Sequence, residues 1–393
     1  MNSLTMRASS KMAPSPPAAL AAERILRRLF RGWTYIETRF GILQPADGVQ
    51  PADLGRTFDV PDESGGLLSL RPDFTSLVAQ EAATTGQGIP RPLRRSYCGT
   101  AFRKPDRGGD RRREIRQSGV ELIGASGCLA DAEIVTLASE GLAALGLDQA
   151  QIHLGHVGFI DALLDASNLT EAGKTIVCNL LAKHDRKAMA LELESQQVDA
   201  PTATALMKLL DLVGSSAVFA QARALTSLPA ALDALGELEA LVNMMDRSRL
   251  PVPTIVDLTE VRDRSYYTGI RFEGFVPSSG FPVLRGGRYD NLVQPFGSKE
   301  PAVGCAFEIN RISPFLEGSE PADIDELLLC PSQEQWPEVL ERARALRSQG
   351  HRAAIDVLSS PSNQRMLYQE AYGIRRIIEP GTSGTLEEEG RSS

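Results

Sequence analysis

Apolar positions recur at helical spacing from Pro17 to Arg31, where Leu20, Ile25, Leu26 and Leu29 share one face and Gly32 follows at a helix-stop position. Residues 33–43 are β-rich, and short strand-like runs follow at 67–70, 93–102 and 119–123. The pattern then predicts a long helix over 130–144, closed by Gly146, and a strand over 151–154. From Leu169 to about Arg249 the chain turns to Ala, Leu, Glu and Lys with helical periodicity, which reads as a mostly helical insertion over 169–250 ended by Pro251 and Pro253. Residues 254–258, 265–275 and 281–284 read as antiparallel strands, with a turn over 277–280. A last stretch alternates strand (327–330), helix (335–348), strand (353–357), helix (363–372) and strand (374–378), a small α/β layer.

These elements divide the 393 residues into a core over 17–320, a smaller unit over 321–379 and two tails. The tail over 1–16 carries Arg7 and Lys11 but no acid, and lacks the apolar segment of a secretory signal. It reads as flexible, with a start at Met12 the simplest account and organelle targeting the alternative. The tail over 380–393 is rich in Gly, Ser, Thr and Glu, too polar to offset the entropy of ordering.

The formal net charge of -8 argues against a chain whose main task is neutralising nucleic-acid phosphates. Its apolar runs fall short of the roughly 18 to 20 residues that span a bilayer, so no membrane partner is expected. Five scattered cysteines without a CxxC pair read as reduced cytoplasmic thiols, and imply no metal site.

Two distant stretches, RDRSYYTGIRFEGF (262–275) and GGRYD (286–290), combine a tyrosine pair, arginines and close-packed glycines. A free amino acid needs an acceptor for its ammonium, a cation for its carboxylate and a fitted wall for its side chain. Asp73 and Glu121 offer acceptors, Arg262 can fork onto a carboxylate, and Tyr266 or Tyr267 offers an aromatic face with a hydroxyl.

LRPDFT (70–75), CGTAFRK (98–104), RQSGVELIG (116–124), VRDRSYYTGIRFE (261–273), GGRYDNLV (286–293) and AVGCAFEINRI (302–312) together resemble histidyl-tRNA synthetase, in the family's order and over roughly 17–315. The resemblance implies an α+β fold with a class II synthetase-like antiparallel sheet flanked by helices. It also implies that the 321–379 unit is a shortened relative of the anticodon-binding domain. By the same resemblance Asp73, Thr75 and Gln117 would hold the α-ammonium of histidine, Glu121 and the tyrosine pair would surround the imidazole, and Arg262 would face the carboxylate. Arg103 matches the arginine of motif 2 and joins the expected histidine-binding set; Arg311 matches that of motif 3, which in a working synthetase faces the ATP polyphosphate.

Departures from the pattern decide which activity to expect. Pro105 replaces a glutamate used towards adenine, and Glu308 replaces the glycine that leaves room for phosphate. A carboxylate about 4 Å from a polyanion costs roughly 1 kcal/mol per charge pair in water and roughly 4 at an effective dielectric of 20. The proline of motif 1 has no clear counterpart near Arg39, and the Gly-Leu-Asp expected before the tyrosines is Asp263-Arg264-Ser265. In these respects the chain is similar to the synthetase paralogues that serve as regulatory subunits of ATP phosphoribosyltransferase. That resemblance implies no enzymatic activity of its own and no cofactor, a short-form catalytic subunit as partner, L-histidine as effector, a homodimeric core and no tRNA. An active but divergent histidine–tRNA ligase is the alternative, and a free amino-acid-binding module is a third reading.

Blander accounts stand beside these. A tyrosine pair in a strand can put one ring in the core and one outside. Gly286–Gly287 alone suggests a turn or bulge. The basic stretch 91–116 alone is a solvated surface, and His153 and His156, an HxxH, are read as structural rather than metal-binding.

Overall fold

The computed structural model describes residues 17–46, 55–86, 88–105, 112–260, 266–277, 279–316, 326–357, 361–362, 365–366, 369 and 374–379. Both expected tails, Arg262 and most of the helix expected over 363–372 lie outside them. The chain forms two compact units, one over 19–316 and one containing 317–393.

In the larger unit, nine strands among the described residues form one mixed sheet. They are β1 (Ile36–Glu37), β5 (Leu93–Phe102), β6 (Glu114–Ile123), β7 (Gln151–His156), β8 (Val213–Gly214), β9 (Thr254–Asp257), β10 (Ile270–Phe275), β11 (Leu284–Arg288) and β12 (Ala302–Glu308), in the order β1-β5-β6-β12-β11-β10-β7-β9-β8. A separate antiparallel ribbon contains β2 (Leu43–Pro45), β3 (Asp59–Pro61) and β4 (Leu67–Leu70). The expected all-antiparallel run after the insertion needs correction, because β9 pairs with β7 in parallel. Two other strands are displaced: β10 starts at Ile270, so Tyr266 and Tyr267 lie in the approach to it, and β11 replaces the run expected over 281–284.

One face of this sheet packs on helices. α1 (Pro17–Gly32) buries Ala19, Ala22, Leu26 and Phe30, leaves Ile25 and Leu29 half-covered, and exposes 55% of Leu20. The buried stripe thus differs from the expected one, because alanines let the helix axis approach the sheet more closely than leucines would. α2 (Thr75–Ala83) lies towards the opposite face, while α3 (Cys128–Ala144) and α4 (Val157–Asp165) join α1 in the main core. The helices over 171–248 are α5 (Glu171–Ala182), α6 (Arg186–Ser195), α7 (Ala200–Leu209), α8 (Ala217–Arg223) and α9 (Pro229–Ser248). Thr170, Asp185 and Asp199 start three of them by accepting the backbone N–H of Gly173, Ala188 and Thr202. The unit closes with α10 (Ile309–Ile312).

The smaller unit places β13 (Glu326–Leu329) between β14 (Ala353–Asp356) and β15 (Arg376–Ile378), all parallel, with α11 (Trp336–Ser348) packing Val339, Ala343 and Leu346 onto Leu328 and Ile378. β13 is central and buried throughout, which accounts for its run of three leucines.

Candidate functional site

Strand register decides what meets on the polar face of the large sheet. Directly paired residues share a face, so one row runs Arg95, Glu121, Gly304, Gly287, Arg271, Gly155 across six strands. The next runs Tyr97, Gly119, Ala306, Arg285, Glu273, His153, and a shorter third holds Gly99, Gln117 and Glu308. The intervening residues point into the apolar core, so β6, β10 and β12 each carry charge on one side and apolar atoms on the other.

Glu121 is the centre of the first cluster. It is almost fully buried; Thr75 Oγ1 donates to it at 2.8 Å, Tyr97 Oη at 3.2 Å, and Tyr289 Oη also donates to it. Burial pushes its carboxyl up to about 8, against the pull of those hydroxyls, which favour the carboxylate form. Glycine is required beneath it, because a Cβ at Gly304 would collide with the Glu121 carboxylate. A Cβ at Gly287 would stand 2.7 Å from the Tyr267 ring. These two glycines make the floor of the pocket, which supplies a more specific reason for GGRYD than a bulge.

Over that floor, the ring centroids of Tyr266 and Tyr267 are 5.0 Å apart, edge to face, and Tyr266 lies 5.6 Å from Tyr289. Burial and then the charges of Asp73 and Glu121 hold the Tyr266 phenol far above its ordinary value, so it remains a hydroxyl. Asp73 precedes α2 and accepts the backbone N–H and the hydroxyl of Ser76 at 2.7 and 3.0 Å, which fixes its carboxylate at the rim. Arg103 donates to the carbonyl of Pro72 at 2.7 Å, beside Asp73. Both tyrosines are half-buried, so neither the core nor the surface position of the bland account fits them.

The structure therefore brings Asp73, Thr75, Glu121, Tyr266 and Tyr267 together, with Gln117 on the same sheet face and Arg103 beside Asp73. Sequence reasoning missed Tyr97 and passed over Tyr289 as a site residue, although both hydroxyls hold Glu121. The available signal was alternation: Arg95, Tyr97 and Gly99 share a face of β5, and that face is the polar one.

A second cluster lies across Arg285, Glu308 and Arg311. The Glu308 carboxylate accepts from Arg285 Nη1 at 2.5 Å and forms an ion pair with Arg311, whose Nε lies 2.8 Å away, while Arg311 Nη1 donates to the Pro282 carbonyl at 2.8 Å. Glu308 and Arg311 are both buried. The expectation that Glu308 would merely repel an incoming polyanion is thus sharpened: its carboxylate is already paired with Arg311, the arginine expected to face polyphosphate, and with Arg285. Arg285 also bonds Glu273 at 3.0 Å, Glu273 bonds Arg271 at 2.7 Å, and Arg271 pairs with Glu260, so charges alternate along the face. Pro105 is half-buried just beyond β5 and presents no ionisable group.

His153 Nδ1 lies 3.0 Å from Asp257, and His156 Nε2 lies 3.2 Å from Glu237 while its Nδ1 accepts the N–H of Gly158. Among the described residues, no group of three or more His, Cys, Asp or Glu side chains is placed to hold a metal. Among the same residues, no helix is long and apolar enough to cross a membrane.

A mixed sheet with a polar face carrying this cluster and helices packed behind the other face is the architecture of a class II synthetase-like protein. The histidyl-tRNA synthetase family profile matches residues 15–312. A histidyl-tRNA synthetase from Nostoc shares the fold at a TM-score of 0.78 and 18% identity, over 93% of this chain and 91% of that one. The chain belongs to the ATP phosphoribosyltransferase regulatory subunits. It is 33% identical to the regulatory subunit of Geobacter metallireducens over 90% of this chain and 83% of that protein. It is also 33% identical to that of Symbiobacterium thermophilum over 93% and 94%. A solved Bacillus halodurans structure, described as an ATP phosphoribosyltransferase regulatory subunit/histidyl-tRNA synthetase, superposes with a TM-score of 0.81 at 26% identity, over 95% of this chain and 97% of that one.

Proposed function

We propose that the chain binds L-histidine in the Glu121 pocket and is the non-catalytic partner of a short ATP phosphoribosyltransferase catalytic subunit. In that role it confers activity on the catalytic subunit and makes it responsive to histidine, at the first step of histidine biosynthesis. The observation that carries this reading is the contrast between the two clusters: one gathers the aromatic rings of Tyr266 and Tyr267 around an arginine-free carboxyl, Glu121, that only hydroxyls hold among the described residues, and the other is filled by the chain's own Glu308 paired with two arginines.

In this reading Glu121 and the tyrosines take the imidazole, a flat ring with two nitrogens that matches one carboxyl group and aromatic edges. Asp73, Thr75 and Gln117 take the ammonium, with Arg103 bracing the Asp73 segment; Arg262 takes the carboxylate. The core over 17–320 pairs with a second copy, the helices over 169–250 are an insertion into it, and the 321–379 unit is a separate module. Histidine acts only through a difference in affinity between active and inactive assemblies, with a coupling of about 1–3 kcal/mol.

The test mixes the purified chain with a short catalytic subunit and measures phosphoribosyl-ATP formation with and without histidine. Activation by the chain and inhibition by histidine are expected. Histidine-dependent ATP–pyrophosphate exchange by the chain alone would instead establish a ligase.

A further inference from the structure

The larger unit carries a groove that the histidine pocket does not use. A cavity of about 870 Å³ opens between the C-terminal half of α1 and the end of α3, lined by Ile25, Leu29, Gly32, Trp33 and Ala144. Arg28 stands on its rim. Apolar walls of this volume accept one or two large side chains. Gly32 is exposed and a Cβ there would meet nothing within 4 Å, so a larger side chain at this position has room beside the groove. Trp33 is fixed in place because its indole Nε1 donates to Glu140 at 2.8 Å.

Charge around the groove runs against that of the chain. The protein as a whole has a net charge of -8, yet α1 presents Arg24, Arg28 and Arg31 on one exposed stripe, continued towards its start by the exposed Leu20. Neither Arg28 nor Arg31 is ion-paired among the described residues, whereas Arg27 is paired with Glu37 at 3.1 Å. Cations beside half-buried Ile25 and Leu29 complement a segment with the opposite arrangement, apolar side chains flanked by carboxylates. A second copy of the chain docked groove to groove is disfavoured, since it would gather Arg28 and Arg31 of both copies into one interface.

We infer that this groove receives an acidic amphipathic segment of the catalytic subunit, with Ile25, Leu29 and Trp33 as the apolar seat and Arg28 and Arg31 as the charged clamp. The inference rests on the proposed role as a regulatory partner and names the surface through which that role is exerted.

Two independent variants test it, each titrated against the purified short catalytic subunit by light scattering and calorimetry. Arg28→Glu with Arg31→Glu reverses the clamp at exposed positions, and Gly32→Phe fills the seat. Each is expected to weaken the complex at least about 10-fold, while Arg28→Ala with Arg31→Ala flattens the dependence of wild-type affinity on salt. Histidine binding by the isolated variants stays at the wild-type level, which reports that they are folded. If the wild-type chain binds and both variants bind equally well, the groove inference is overturned and the regulatory role stands. If the wild-type chain does not bind, both fall. A variant that loses self-association but keeps the catalytic subunit identifies the groove as a contact between copies, and overturns the inference as well.

Discussion

Replacing Glu121 with glutamine removes a buried carboxyl while keeping its shape. In the folded chain that carboxyl is raised from 4.5 to about 8, chiefly by burial. A group whose folded pKa is raised gives its full stabilisation below its unfolded value and loses it as pH climbs through the folded one. At about 1.4 kcal/mol per unit, this rise corresponds to roughly 5 kcal/mol lost between pH 4.5 and 8. Glutamine does not ionise, so Glu121→Gln escapes that loss, while any cost of rearranging its bonds to Thr75, Tyr97 and Tyr289 is independent of pH. The stability of the variant relative to wild type is therefore expected to improve with a slope of about 1.4 kcal/mol per pH unit from pH 5 to 7.5, levelling above pH 8. Urea denaturation of both proteins at half-unit pH steps, without ligand, measures the slope. Curves that stay parallel within about 1 kcal/mol would show that the carboxyl is not desolvated as the geometry requires.

Two further predictions concern the floor and the filled cluster. Gly304→Ala places a methyl against the Glu121 carboxylate; it should cost about 1–3 kcal/mol in urea denaturation and abolish histidine binding by calorimetry, and retained binding would refute the floor. Glu308→Ala leaves buried Arg311 and its neighbour Arg285 without their shared carboxylate, a loss of about 3–5 kcal/mol that added pyrophosphate should partly restore in the variant but not in wild type, as read by melting temperature.

Much of this site is legible in the amino-acid sequence. Asp73, Thr75, Glu121 and the tyrosine pair follow from motif order, and the folded chain brings them together because α2, β6 and the approach to β10 converge on the same sheet face. What stays hidden depends on register or on burial. Tyr97 and Glu121 lie 24 residues apart, and their contact exists only through the pairing of β5 with β6. Arg285 and Glu308 are likewise neighbours through β11 and β12. The buried stripe of α1 escapes the hydrophobic pattern because Ala19 and Ala22 are small rather than conspicuously apolar, and close approach favours them over Leu20. The parallel pairing of β9 cannot be read from its own residues, since the helices over 171–248 carry the chain round to that edge.

The Glu308 carboxylate is tied to the arginines it neutralises by the chain itself. A tethered group competes at a local concentration of the order of millimolar or more, and dilution does not lower it. A free nucleotide would have to outcompete an occupant that never diffuses away. In the proposed role, the two arginines stay closed to free nucleotide and the Glu121 pocket reports histidine alone.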